Sequence, residues 1–406
     1  MPCDPFQFAD DLGPAKTVHL HEPASGLKAI VVVDNVVLGP AIGGMRMAAD
    51  ADLEECFRLA RAMTLKAAAA GLPHGGAKSV ILADPQTPAA RKELLLRSFA
   101  RMIRDLVEYV PAPDMGTDER CMAWIQDEIG RCAGLPAELG GIPLDEIGAT
   151  GRGVAIACEV ACRHAGVPLA GARIAIQGFG AVGSHAARFL AQRGAVIVAV
   201  ADIRGAVAAP TGLDVEALRA HSARAGTVRG FTSSRAIPPE AIFGIPCDIL
   251  VPAARPDAIN FGNVARLRAR LVVPGANVPM SVEIEELLHR RGVLVVPDFI
   301  ANAGGLICAS IEYRGGTRAQ AITALEAKLR ASTATVLDTA AARRITPRQA
   351  AVEMALTRIE QGKRAGGGGG RRPRAHRPVP DPRVARSASI PSGRSDAPSA
   401  YTSPVR

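Results

Sequence analysis

A strand, a glycine-rich turn, a helix and a second strand follow one another at the centre of the chain. The apolar strand Arg173–Gln177 runs into Gly178-x-Gly180-x-x-Gly183, a helix follows, and the next apolar strand ends at Asp202. In a dinucleotide-binding unit the first glycine allows a tight turn, the second lets the backbone approach a pyrophosphate, and the third lets the helix pack on the strand. Glycine turns alone are common, but here strand, helix and terminal acid are all in place. The stretch therefore predicts a Rossmann-type unit that binds a dinucleotide.

The acidic residue at the end of this unit bears on the choice of dinucleotide. Asp202 lies where a carboxylate accepts hydrogen bonds from the adenosine ribose hydroxyls, and its charge repels a 2′-phosphate. This favours NAD. Arg204, two residues further on, is a possible partner for a 2′-phosphate, so NADP stays open as the alternative.

Three more short apolar strands follow the glycine unit, as a doubly wound parallel sheet requires. They are predicted at Cys247–Ala254, Leu271–Asn277 and Val293–Phe299. Ligands of such sheets bind at the carboxyl ends of the strands. Asn277 and the segment Ala301–Gly305 are expected at those ends.

The stretch "GLPHGGAKSVILADP" looks at first like a phosphate-binding loop, but its order is inverted. Ala77 separates Gly76 from Lys78, whereas a phosphate loop needs lysine directly after the last glycine, with a strand before the loop and a helix after it. Here a helix is predicted before the glycines, over residues 52–70, and a strand after them, over residues 79–82. The nucleotide is therefore expected elsewhere, and Lys78 needs another role.

Three charged residues of the first 150 stand in settings that suggest chemistry. Lys66 lies on the apolar face of the helix before the glycines, either buried with a partner or at the edge of that face and reaching water. Lys78 lies between a glycine pair and a strand, where we expect a cleft. Asp114 lies in "VPAPDMGTDE", a loop made rigid by prolines and able to aim a carboxylate.

Charge is concentrated in the last part of the chain. Of the net charge of +9, residues 363–406 carry +8, from ten Lys or Arg against Asp381 and Asp396. This tail is rich in Gly, Pro, Ser and Arg and has few large apolar residues to bury, so we expect disorder. An arginine-rich arm for RNA or an acidic surface is the alternative, and no other part of the chain suggests a nucleic-acid partner.

The remaining composition places the chain among cytoplasmic two-domain proteins. With 406 residues and 48% hydrophobic content it is long enough for two cores. The N-terminal "MPCDPFQFAD" has acidic residues and no basic-then-apolar run, so we do not expect a signal peptide or a membrane span there. Eight scattered cysteines without ligand-like spacing are expected to be reduced and to hold no metal.

Taken together, the motifs resemble those of the glutamate/leucine/phenylalanine/valine dehydrogenase family. The matching segments are "LGPAIGGMRM", "GLPHGGAKSVILADP", "PAPDMGTDE", "GFGAVG", "PGAN" and "PDFIANAGG". The resemblance implies an α/β fold with an N-terminal substrate and assembly domain at 1–145, a doubly wound Rossmann-type NAD-binding domain at 146–317 and C-terminal helices at 318–362 that pack toward the first domain. It also implies a homo-oligomer and an enzyme that interconverts an amino acid with its 2-oxo acid and ammonia.

The resemblance also assigns roles to residues. It makes Lys78 and Asp114 catalytic and Lys66 the anchor of the substrate carboxylate. Further substrate contacts are expected at Ile42, Gly43, Gly44, Ala112, Asn302, Leu306 and Ala309. Cofactor contacts are expected at Thr150, Gly178, Phe179, Gly180, Ala181, Val182, Gly183, Asp202, Ile203, Ala253 and Asn277.

The side-chain pocket decides which amino acid fits. Glutamate-specific members of the family carry a lysine where this chain has Ile42 and a serine where it has Ala309, and both grip the distal carboxylate. With Leu306 and Ala112 these residues predict an apolar pocket, so leucine or valine is expected. The segment from Pro113 to Val154 looks more like glutamate dehydrogenases, which keeps glutamate as the alternative. An NAD-binding regulatory protein without catalysis is a third possibility.

Overall fold

A five-stranded mixed sheet forms the first half of the chain in the computed structural model, which describes residue 4 and residues 6–366. The sheet order is β1-β2-β4-β3-β5, with β1, β2 and β4 antiparallel and β3 parallel to both β4 and β5. Its strands are β1 (Lys16–Glu22), β2 (Leu27–Asn35), β3 (Ala41–Met47), β4 (Gly75–Ile81) and β5 (Tyr109–Pro113). The helices are α1 (Leu53–Ala69), α2 (Ala89–Met102) and α3 (Glu119–Ile129).

Both faces of this sheet are covered, which explains the unbroken apolar run in β2. Val31 and Val33 pack with α2 and α3 in one core, while Ile30 and Val32 pack against α1 on the other face. A strand buried on both faces reads as a continuous apolar segment rather than an alternating one. Helix α1 begins where Asp52 accepts a hydrogen bond from the Glu55 N–H at 2.8 Å, one residue inside the predicted start.

The glycine pair before Lys78 belongs to strand β4 and is not a flexible hinge. The prediction of a strand starting at residue 79 was wrong, since β4 begins at Gly75. A Cβ at Gly75 would overlap the Asn35 carbonyl, and one at Gly76 would overlap the backbone of Thr64. The glycines therefore allow close packing against β2 and α1, which places Lys78 inside a buried strand.

A seven-stranded sheet forms the second half, in the order β12-β11-β10-β6-β7-β8-β9. Strands β12, β11, β10, β6 and β7 are parallel, while β8 and β9 add an antiparallel edge that the sequence interpretation did not anticipate. The strands are β6 (Arg173–Gln177), β7 (Val196–Ala201), β8 (Ala206–Ala208), β9 (Arg235–Ile237), β10 (Ile249–Pro252), β11 (Leu271–Val272) and β12 (Leu294–Val295). The helices are α4 (Ala149–Ala165), α5 (Ala181–Ala191), α6 (Val215–Ala225), α7 (Val282–Arg290), α8 (Asp298–Ala301), α9 (Gly304–Tyr313), α10 (Arg318–Arg343) and α11 (Pro347–Gly366).

The last two helices contact the first domain. Arg358 of α11 donates to the carbonyls of Ala68 (2.9 Å) and Ala69 at the end of α1, and Lys328 of α10 donates to Gly71 O at 2.9 Å. These cations meet the carbonyls that a helix end leaves without partners. Because α11 continues to Gly366, the first four residues of the expected tail, 363–366, are helical. The rest of that tail lies outside the described residues.

Two expectations from composition concern the chain as a whole. Six of the seven cysteines within the described residues are buried, and all seven are free thiols. Over the same residues, none of the helices combines the length and the apolar character that a membrane crossing requires.

Candidate active site

Lys78, which is buried, and Asp114, which is partly buried, form an ion pair in the first domain. Lys78 lies on β4, Asp114 directly follows β5, and β3 runs between these two strands. Gly44 of β3 makes the approach possible, because a Cβ there would lie 3.0 Å from Lys78 Nζ and 2.9 Å from Asp114 Cβ. The structure thus brings the two predicted catalytic residues together.

Arg46 is a second cation on Asp114 that sequence reasoning missed. Its Nε lies 3.3 Å from Asp114 Oδ2, and its other end pairs with Glu55 of α1. Burial raises the pKa of Asp114, but Lys78 and Arg46 outweigh it, so the pKa lies below the usual value and the group is a carboxylate at neutral pH. Strand alternation was the available signal, since Arg46 follows Gly44 by two residues and lies on the same face of β3.

Lys66 joins the two domains. Its Nζ donates to Asn277 Oδ1 at 3.0 Å, and the same oxygen accepts from Asn302 Nδ2 at 2.8 Å. Only 7% of Lys66 is exposed, so of the two alternatives for this residue the buried one is observed. Burial, opposed by Asp298 and Asp114 and aided by Lys78, lowers the pKa of Lys66 to about 8.

The residues expected around the substrate side chain lie in one apolar cluster. Ile42, Ala112, Leu306 and Ala309 all belong to it, and Ile42 is only 1% exposed. Two elements of the first domain thus meet α9 of the second. On β3, Gly43 has no room for a side chain, because a Cβ would overlap the Ala77 carbonyl.

The glycine turn lies where a dinucleotide fits. Gly178 adopts a left-handed φ of +101°, and a Cβ there would lie 2.8 Å from Ala253 C, while a Cβ at Gly183 would overlap Gly178 O. A Cβ at Gly180 would meet nothing within 4 Å, so this side of the turn is open. Since Gly180 precedes the exposed Ala181 at the start of α5, the open side coincides with a helix N-terminus that suits a phosphate.

Phe179 belongs to this turn, and two other expected cofactor residues, Val182 and Thr150, lie on α5 and α4. Phe179 is buried, and the Val182 side chain would lie 2.7 Å from a Cβ at Gly275. Thr150, in the first turn of α4, has its Oγ1 3.3 Å from a Cβ placed at Gly305.

Asp202 is held by its own loop and by the segment that follows α6. Its carboxylate accepts backbone N–H groups from Arg204 (2.8 Å), Gly205 (2.9 Å) and Val228 (2.6 Å). The neighbouring Ile203 is fully exposed. These bonds fix the direction of the carboxylate and leave one acceptor position, on Oδ2, for a further donor.

A glycine turn at the carboxyl end of a central parallel strand, together with a lysine–aspartate ion pair in a second domain, is typical of a two-domain dinucleotide-dependent dehydrogenase. Family comparison agrees. Residues 140–367 match the profile described as Glutamate/Leucine/Phenylalanine/Valine dehydrogenase, and residues 14–131 match the Glu/Leu/Phe/Val dehydrogenase dimerisation domain. The chain belongs to the Glu/Leu/Phe/Val dehydrogenase family, and it is an NAD(P)-dependent enzyme acting on CH–NH2 donors.

Individual relatives narrow the comparison. The glutamate dehydrogenase of Aeropyrum pernix is 39% identical over 322 residues, covering 75% of this chain and 77% of that protein. That of Thermotoga maritima is 41% identical over 297 residues, covering 70% and 71%. Among solved structures, the hetero-hexameric glutamate dehydrogenase of Thermus thermophilus in a leucine-bound form has a TM-score of 0.80 at 30% identity, covering 88% of this chain and 91% of that one. The L-tryptophan dehydrogenase of Nostoc punctiforme has a TM-score of 0.67 at 25% identity, covering 87% and 97%.

Proposed function

We propose that the chain carries out the reversible oxidative deamination of an L-amino acid to its 2-oxo acid and ammonia, with Lys66, Lys78 and Asp114 as its working groups. One observation carries the proposal. The Lys78–Asp114 ion pair shares the first domain with a buried Lys66 whose Nζ contacts Asn277 of the dinucleotide domain. Two lysines and a carboxylate are thereby gathered where the two domains meet.

Each group has a chemical task in this reaction. Lys66, when protonated, binds the substrate α-carboxylate. Asp114 is kept ionised by Lys78 and Arg46, so it can accept a proton from the substrate ammonium group and leave a neutral amine. Loss of a hydride from Cα leaves an iminium carbon, and Lys78, in its neutral form, takes a proton from the water that attacks it, which gives a carbinolamine. Asp114 then returns its proton to the amine nitrogen and accepts the hydroxyl proton as the C–N bond breaks. Ammonia leaves as the C–N bond breaks, and the 2-oxo acid remains.

The dinucleotide supplies the hydride acceptor. The residues that would hold it are those of the glycine turn, with the pyrophosphate on the open side of Gly180 and the adenosine ribose on Asp202. The anchored carboxylate of Asp202 supports NAD over NADP.

The named relatives favour glutamate as the substrate, whereas the apolar pocket favours an amino acid with an apolar side chain. Both curated relatives are named glutamate dehydrogenase, so the comparisons give the expected leucine or valine preference no support. Glutamate is therefore the first substrate to test. An amino acid with an apolar side chain is the second candidate, because Ile42 and Ala309 lie buried in an apolar cluster where the distal carboxylate of glutamate would lose its hydration.

A panel of amino acids followed by NADH absorbance separates the two candidates. If the parent enzyme has its highest kcat/KM with glutamate, Ile42→Lys should change that preference little. If an apolar amino acid wins, Ile42→Lys with Ala309→Ser should shift relative kcat/KM toward glutamate by about ten-fold, since a charged hydrogen bond is worth roughly 1.5–3 kcal/mol. Absence of turnover with every amino acid would leave the non-catalytic NAD-binding alternative.

We also propose that the chain assembles with copies of itself. The support is the match of residues 14–131 to a profile described as a dimerisation domain, together with the hetero-hexameric state of the Thermus relative. Light scattering on the eluting protein tests it, and a monomer mass at working concentration would refute it.

A further inference from the structure

Asp298, at the first position of α8, is a buried carboxylate that sequence reasoning did not single out. Its Oδ2 accepts the Val278 N–H at 2.7 Å, and its Oδ1 accepts Arg348 Nη2 at 2.8 Å. Only 5% of Asp298 is exposed. Arg348, from α11, also donates to Glu285 of α7 at 2.5 and 2.6 Å, so one guanidinium serves two carboxylates.

The backbone that Asp298 holds is in an unfavourable conformation. Val278 has a φ of +45°, a left-handed value that costs energy for a β-branched residue. Such a conformation persists only where its surroundings hold it. The preceding residue is Asn277, whose Oδ1 accepts from Lys66 and from Asn302.

We propose that Asp298 is a positioning residue, which holds Val278 in its left-handed conformation so that Asn277 meets Lys66 and shapes the subsite for the substrate α-carboxylate. The inference rests on the proposed function of Lys66. Helix α11 binds a residue on each side of the Lys66–Asn277 contact. Arg348 near its start binds Asp298, and Arg358 binds the Ala68 and Ala69 carbonyls that follow Lys66 on α1. One helix thus connects the two partners of the contact between the domains.

Glu285 provides a matched control. It is buried and shares the Arg348 guanidinium with Asp298, but its recorded bonds do not include the Val278 N–H. Asp298→Asn and Glu285→Gln each remove one charge from the same ion-pair group. Each change also leaves two donors for a single side-chain oxygen, but only in Asp298→Asn is the Val278 N–H one of them.

The experiment measures hydrogen exchange at the Val278 amide together with steady-state kinetics. In Asp298→Asn we expect exchange to accelerate about ten-fold and KM for the amino acid to rise about ten-fold, with a smaller change in kcat, because a subsite is misplaced while Lys78 and Asp114 are untouched. In Glu285→Gln both quantities should stay near those of the parent.

Two further variants separate positioning from general stability. Adding Val278→Gly to the Asp298→Asn variant should bring KM most of the way back to the parent value, because glycine adopts a positive φ without strain. Val278→Pro, whose ring excludes that φ, should raise KM although the three-residue ion-pair group is intact, and it serves if Asp298→Asn fails to fold.

The pH profile gives an independent reading. The charged groups around Lys66 are Asp298, Lys78 and Asp114. Without the Asp298 charge the pKa of Lys66 falls further, so the alkaline loss of kcat/KM should move to lower pH in Asp298→Asn and not in Glu285→Gln.

Equal effects of Asp298→Asn and Glu285→Gln, unchanged Val278 exchange in Asp298→Asn, or no rescue by glycine would each overturn the positioning role. Failure of the parent chain to oxidise any amino acid would instead refute the proposed function, and the exchange measurements would still decide whether Asp298 holds Val278.

Discussion

Gly44→Ala tests the ion pair with a single methyl group. The added Cβ would lie 3.0 Å from Lys78 Nζ and 2.9 Å from Asp114 Cβ, whereas ordinary contact begins near 3.4 Å. Each neighbour must therefore retreat by about half an ångström. Because a misplacement of about 1 Å costs roughly 100-fold in rate, we expect kcat to fall by about 10- to 100-fold. The assay is initial rate at saturating cofactor and amino acid.

Gly180→Ala is the matched control, since a Cβ there meets no protein atom and the residue has an ordinary negative φ. The methyl group instead enters the open side of the turn. We expect KM for the dinucleotide to rise about ten-fold or more, with little change in thermal stability. Unchanged kcat in Gly44→Ala, or the same loss of cofactor affinity in both variants, would refute the placement of chemistry and nucleotide on separate domains.

Three further changes test individual side chains. Lys78→Ala should abolish deamination and leave NAD binding, followed by fluorescence quenching, almost intact; equal loss of both would contradict the assignment. In the free enzyme the pKa of Lys66 is lowered to about 8, so its charge and the affinity for a carboxylate are lost as pH rises through that value; kcat/KM should decline there, and a flat profile to pH 10 would exclude Lys66 as the anchor. Asp202→Asn should raise the NADP-to-NAD ratio of kcat/KM about ten-fold by removing the repelling charge, unless the parent already prefers NADP.

The spacing of apolar residues and glycines in the sequence predicted the bounds of β6 and α1 to within one residue. Strand β6 has the predicted bounds, Arg173–Gln177, because the glycine turn and the apolar run define both of its ends. Helix α1 differs by one residue at each end from the prediction. The later strands were predicted too long, since β11 keeps only Leu271–Val272 of the expected Leu271–Asn277. Gly275 and Ala276 still donate to Pro252 O at the end of β10, and the chain then turns away to form the loop that carries Asn277.

Pairings between distant elements could not be predicted in the same way. Lys78 and Asp114 were chosen as residues, but their contact depends on β3 lying between β4 and β5, an order that only the folded sheet defines. Arg46 and Asp298 were missed for the same reason, because each acts on a residue from another part of the chain. Strand alternation pointed to the face of Arg46, whereas nothing local to Asp298 indicates Val278 or Arg348.

The charges of the site bear on the open question of substrate. Lys78 is paired with Asp114, while Lys66, over the described residues, has no carboxylate within ion-pair distance and contacts only the neutral amide of Asn277. A buried cation without a counter-ion favours one incoming anion, and the α-carboxylate of any amino acid supplies it. Glutamate brings a second carboxylate, and Ile42 lies where its counter-ion is expected. A preference for glutamate would then require a cation other than a lysine at position 42 to reach that second carboxylate.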